Sequence, residues 1–213
     1  MLKHLTLFGA ELLANPRAIG AACPSSPLLA RRVASHVRRP DDAYVLELGA
    51  GTGSITAALL RSGVPADRLV VVERSASMVR ALRRRFPMAL VVEGDAAEIC
   101  ELVHKEFGLA EADFSHIVSS LPLRSIPRPV SERIAHAIQN FLCHGARLIQ
   151  YTYDLRKGST GWFGRLGHVQ SSVVWLNVPP ARVDLFSAAS KRQPRWKAAP
   201  TAARKDSLRS KHH

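Results

Sequence analysis

The sequence predicts an α/β fold: a mostly parallel, seven-stranded sheet with helices on both faces and a C-terminal antiparallel hairpin. Three observations predict it. From Tyr44 onward, short apolar runs alternate with amphipathic stretches at the spacing of βαβ units. A glycine turn, Gly49-Ala50-Gly51-Thr52-Gly53, follows directly on the first run. Near the end, Pro179-Pro180 forces a break between two β-rich segments, so the second can return antiparallel to its neighbour.

The elements follow in order. Leu2, Leu5, Phe8 and Leu12 lie on roughly one face of a helix that Pro16 should end. A loop around Cys23-Pro24-Ser25-Ser26-Pro27 leads to a basic helix from Leu28 to Arg38. Strands are expected at Tyr44–Leu48, Leu69–Val72, Ala89–Val92, Phe114–Val118 and Ala146–Tyr153. Helices are expected at Ser54–Arg61, through Met78 and Leu82, at Ala97–Phe107 and over 130–142. Val169–Val178 and Arg182–Phe186 make the hairpin. The chain thus divides into a helical cap over 1–40, a core over 41–189 and a flexible basic tail over 190–213.

Composition narrows the function classes. Of the 213 residues 46% are hydrophobic, enough for a buried core, so a wholly disordered chain is excluded. Cys23, Cys100 and Cys143 lack Cys-x-x-Cys spacing and read as reduced core or near-core thiols, with no metal site expected. No run approaches about 18 apolar residues, and the N-terminus lacks the layout of a secretory signal, so a cytoplasmic protein is expected. A formal charge of +13 favours a polyanionic partner, nucleic acid or an anionic lipid surface. Arg83, Arg84 and Arg85 read as a solvated helix end.

The glycine turn carries the chemistry. Gly49, Gly51 and Gly53 permit a tight turn and close approach of backbone to a ligand. Glu73-Arg74 ends the second strand, where an acid can accept hydrogen bonds from ribose hydroxyls. Asp95-Ala96 follows the third strand, placed for an adenine amino group. A dinucleotide would want Gly-x-Gly-x-x-Gly to seat a pyrophosphate, but the sixth position is Ser54. Glu47, just ahead of the turn, would repel a pyrophosphate and suits a nucleoside bearing an ammonium and a sulfonium. That ligand is S-adenosyl-L-methionine, with S-adenosyl-L-homocysteine as product.

Four further segments resemble the bacterial phospholipid N-methyltransferase family. They are Gly20-Ala21-Ala22-Cys23-Pro24-Ser25-Ser26, Val118-Ser119-Ser120-Leu121-Pro122-Leu123, Gln150-Tyr151-Thr152-Tyr153 and Val174-Trp175-Leu176-Asn177-Val178-Pro179-Pro180-Ala181. With the glycine turn they span about residues 8 to 187, in order. The resemblance implies a Rossmann-like class I methyltransferase that converts phosphatidylethanolamine stepwise to phosphatidylcholine. It places Ser25 and Ser26 near the cofactor or the lipid head, although either can also cap the next helix. Ser119 and Leu121 would face the cofactor, and Ser120, Tyr151 and Tyr153 the acceptor, because ligands of open α/β sheets lie beyond the carboxyl ends of the strands. One tyrosine is expected to act and the other to pack in the core, with Tyr151 slightly favoured.

The rival acceptor is RNA. Ribosomal RNA adenine dimethylases place Asn-Leu-Pro-Tyr after the fourth strand to hold and stack a flipped base. Here Ser120-Leu121-Pro122-Leu123 lacks both amide and ring, so nucleic acid is not expected. A non-catalytic lipid- or nucleic-acid-binding protein of the same fold is disfavoured by the complete set of Glu47, Glu73 and Asp95. The protein is therefore expected at the inner face of the cell membrane, held peripherally by Arg31, Arg32, Arg38, Arg39 and the tail, with an N-terminal helix that either enters the interface or packs over the cofactor cleft. Monomethylated heads and ornithine lipids are chemically close acceptors.

Overall fold

A computed structural model of the chain describes residues 25–37, 42–163 and 167–188. The expected N-terminal helix, Cys23, Arg38, Arg39 and the basic tail lie outside these residues. Seven strands form one sheet: β1 (Tyr44–Leu48), β2 (Leu69–Glu73), β3 (Leu90–Glu93), β4 (Phe114–Ser119), β5 (Arg147–Thr152), β6 (Gly167–Val174) and β7 (Ala181–Ser187). Their order is β3-β2-β1-β4-β5-β7-β6. β1 to β5 are parallel, and β7 runs antiparallel to both β5 and β6.

Strands β1 and β2 read as almost unbroken apolar runs because both of their faces are covered, and β4 is buried throughout although Ser115, His116 and Ser119 interrupt its apolar residues. Side chains alternate between two cores. Leu46, Leu48, Val70 and Val72 pack under α4 (Ile99–Phe107), α5 (Arg128–Cys143) and the short α6 (Thr160–Phe163). Val45, Val71, Val118 and Ile149 pack under α1 (Pro27–Ala34), α2 (Ser54–Arg61) and α3 (Ala76–Arg85). Each fully buried leucine in these layers contributes roughly 2 kcal/mol.

Several boundaries and roles differ from expectation. β3 runs one residue later than its apolar run, as far as Glu93. β6 ends at Val174 because the next residues turn away around a buried Asn177. α1 begins at Pro27, a favoured first position, under a Ser26 cap. Cys143 is exposed rather than near the core; Cys100 is half-buried, and burial pushes its thiol up to about 11. The arginines closing α3 are not simply solvated. Arg83 donates two hydrogen bonds to the Val91 carbonyl, and Arg85 donates to the Thr52 carbonyl within the glycine turn. Among the described residues no helix is long and apolar enough to cross a membrane.

Candidate active site

Sheet order reverses between β1 and β4, so a crevice opens beyond their carboxyl ends. The glycine turn lies there, between β1 and α2. Its three glycines have positive φ of 73°, 53° and 78°. A Cβ on Gly49 would stand 2.7 Å from Leu121 Cδ2, and one on Gly53 2.6 Å from Phe86 Cε2. At Gly51 a Cβ would meet nothing within 4 Å. Gly49 and Gly53 are thus demanded by packing as well as by φ, whereas Gly51 leaves open backbone for a ligand.

Glu73 secures the turn. One carboxylate oxygen accepts from the Gly51 N–H at 2.9 Å and the other from the Ser75 N–H at 2.9 Å. Asp95 accepts from the Ala97 N–H at 2.8 Å and caps the 3-10 turn Ala96–Glu98, with Ala96 buried beneath it. The Gly94 N–H donates to the Glu73 carbonyl at 3.1 Å, joining the ends of β2 and β3. Arg74 is exposed at the rim.

Glu47 is wholly buried, yet neither carboxylate oxygen completes a hydrogen bond. Burial pushes its carboxyl up to about 7. The backbone and hydroxyl of Thr56 on α2 pull the other way without completing a bond, while the Glu73 charge adds to the rise. A buried acid without a partner is costly on its own and suits a cationic ligand. Glu47, the open backbone at Gly51 and the two further acids together fit S-adenosylmethionine.

A cavity of about 1300 Å³ opens beyond β4 and β5, where an acceptor is expected from the sequence. Ser120, Leu121, Tyr151, Tyr153 and Trp162 line it. Leu121 also lies over Gly49, so the glycine turn and this cavity share a wall. Gln150 is buried and donates through Nε2 to the carbonyls of Leu121 and Tyr151, each at 3.1 Å. Arg124 and Asp154 pair at 3.1 Å on the cavity wall and are both partly exposed. Ser119 is buried, and its hydroxyl accepts from the Leu121 N–H at 3.4 Å.

Both tyrosines rest partly against the core under α1, α2 and α3, and both also line the cavity. Both rings are half-buried and meet edge to face at 6.0 Å. The Ser25 hydroxyl donates to the Tyr151 phenol at 3.0 Å. Ser26 is used differently: it caps α1 by accepting from the Leu29 N–H at 3.2 Å, and it donates to Asn177.

One cluster escaped the sequence reading. Asp184 on β7 accepts from Arg182 Nε at 2.7 Å, from the Ser159 N–H at 2.8 Å and from the Ser171 hydroxyl. Burial would raise this carboxyl, but those donors hold it below the ordinary carboxylate range. The cluster ties the segment before α6, one side of the cavity, to the sheet. Only the apolar-polar-apolar pattern around Asp184 hinted at its burial.

The chain is similar in sequence to known methyltransferases. The family described as methyltransferase domain matches residues 45–145. An ornithine lipid N-methyltransferase of Singulisphaera acidiphila is 32% identical over 154 residues, 71% of this chain and 79% of that protein. A ribosomal RNA small subunit methyltransferase A of Synechococcus sp. is 34% identical over 110 residues, 50% of this chain but 37% of that protein. In fold, the chain resembles a TehB-like SAM-dependent methyltransferase of Corynebacterium glutamicum at a TM-score of 0.57 and 19% identity, covering 86% of this chain and 99% of that one.

Proposed function

The chain belongs to the class I S-adenosylmethionine-dependent methyltransferases, and we propose that it N-methylates the amine of a membrane lipid head group, carrying phosphatidylethanolamine stepwise toward phosphatidylcholine at the cytoplasmic membrane face. The observation that carries this reading is the relative acting on a lipid amine, which aligns with 71% of the chain. The four segments shared with phospholipid N-methyltransferases point the same way.

The acceptor cavity is consistent with such a substrate. Arg124 and Asp154 set opposite charges 3.1 Å apart on its wall, a match for a head carrying both an anion and an amine. Tyr151 and Tyr153 line the cavity with aromatic rings, a residue type able to hold a methylated ammonium.

S-adenosylmethionine, when bound, supplies an electrophilic methyl on a sulfonium. Glu47 and the acids at the ends of β2 and β3 would hold it, with Leu121 bordering both the glycine turn and the cavity. The acceptor amine titrates near pH 10 as a free group and must be neutral to attack. Alignment of amine and methyl by fixed walls is worth several kcal/mol of the barrier.

Supplying methyl-labelled donor to vesicles of phosphatidylethanolamine, vesicles containing ornithine lipid, and total RNA tests this reading. Label is expected in phosphatidylethanolamine and its methylated products. Label confined to ornithine lipid would move the acceptor within the lipid class, and label in RNA alone would overturn the reading.

A further inference from the structure

The tip of the β6–β7 hairpin, residues 175–180, reverses the usual distribution of polarity. Trp175, Leu176 and Val178 are 70%, 80% and 87% exposed, whereas Asn177 among them is 2% exposed. Asn177 accepts from the Ser26 hydroxyl at the head of α1 and donates to the Pro179 carbonyl. The polar side chain therefore anchors the tip while three large apolar ones face outward. Single exposed hydrophobics are ordinary, but three within four residues, turned out around an inward amide, form a patch.

Strand register fixes where the tip stands. Thr152 at the end of β5 pairs with Arg182, and Val174 pairs with Ala181. The hairpin therefore turns at the carboxyl end of β5, the edge that carries Tyr151, Tyr153 and the acceptor cavity. α1 starts beside the tip through Ser26 and exposes Arg31 and Arg32. An indole flanked by aliphatic side chains suits the boundary between head groups and acyl chains, and neighbouring arginines favour anionic lipid. A chain of net charge +13 would repel a second copy of itself but is drawn to such a surface.

Resting on the reading of the acceptor as a lipid amine, we propose that Trp175, Leu176 and Val178 insert into an anionic bilayer while Arg31 and Arg32 contact its head groups. The tip would thereby set the acceptor edge against the membrane, so that a lipid amine reaches Tyr151 and Tyr153 without leaving the bilayer.

The test uses the full chain, its Trp175→Ser/Leu176→Ser/Val178→Ser variant, and vesicles of equal parts phosphatidylethanolamine and phosphatidylglycerol. Vesicle co-sedimentation and methyl transfer to vesicle lipid should each fall on the order of tenfold in the variant. Transfer to dispersed short-chain phosphatidylethanolamine should stay within about twofold, since the substituted side chains are exposed and outside the cavity. Trp175 emission should be quenched by bromine-labelled acyl chains, and Trp175→Phe should remove that quenching while binding persists. Unchanged vesicle binding by the triple variant would overturn the proposal, as would an equal loss of transfer on vesicles and on dispersed lipid. Tip-dependent self-association in sedimentation velocity, with vesicle binding intact, would also overturn it by assigning the patch to a second copy. If the parent binds vesicles through the tip yet methylates neither form of the lipid, insertion stands and the acceptor reading fails.

Discussion

Ser25 donates its hydroxyl to the Tyr151 phenol at 3.0 Å, linking positions 126 residues apart in the chain. The loop ahead of α1 is thereby pinned to the end of β5, beside the acceptor cavity. Ser25→Ala and Tyr151→Phe are each expected to cost about 0.5–1.5 kcal/mol of stability. The double variant should cost less than the sum of the two, because both remove one contact. Urea unfolding of the four proteins checks this; strict additivity would mean the bond contributes nothing.

Glu47 makes the ligand-free protein sensitive to pH. Its folded carboxyl stands at about 7 against an ordinary 4.5, so between those values the folded state binds more protons than the unfolded. Stability should therefore fall as pH rises through that window, by roughly 3 kcal/mol in all. Glu47→Gln should flatten the dependence and raise the melting temperature at pH 8. In calorimetric titration the same variant should bind S-adenosylmethionine at least about tenfold more weakly. A variant that melts earlier at pH 8 would show that the acid is not strained by its burial.

The three glycines of the turn should separate fold from ligand. Gly49→Ala and Gly53→Ala force a Cβ to within 2.7 Å of Leu121 and 2.6 Å of Phe86, at positive φ. Each should destabilise by about 2–4 kcal/mol. Gly51→Ala meets no atom within 4 Å and should cost only about 1 kcal/mol, for its φ. Its larger effect is expected on cofactor affinity. Melting curves with and without S-adenosylhomocysteine distinguish the three.

Asp184→Asn should be costly because it leaves Arg182 without its counter-charge. A loss of about 3–5 kcal/mol at pH 7 is expected. The donors around Asp184 hold its folded carboxyl below the ordinary 3.8, so their contribution is fully present above that value and is lost as pH falls below it. The gap between parent and variant should accordingly narrow in acid, which unfolding curves at pH 7 and pH 3 will show.

The central strands were legible from sequence because burial on both faces writes itself as continuous apolar runs, as in Leu69-Val70-Val71-Val72. Glu47, too, stood out because an acid inside such a run demands a reason. Contacts closed by the antiparallel return of β7 were not legible. Asp184 and Ser159 lie 25 positions apart and meet only through that return, and no local period encodes it. The expectation that one of Tyr151 and Tyr153 would pack in the core drew on the strand period, but Tyr153 lies just past the end of β5, and both rings rest half-buried against the core. Residues 175–178 read as strand from composition, and only the inward turn of Asn177 in three dimensions removes them from β6.

Gln150 gives one amide nitrogen to two carbonyls, one in the loop after β4 and one on β5. The loop after β4 is therefore tied to β5 through this one side chain, and the two walls of the cavity are coupled. Under the proposed reading of a lipid amine acceptor, a preference among successive rounds would then arise from how each head group sheds water against these joined walls, rather than from one wall moving away from the other.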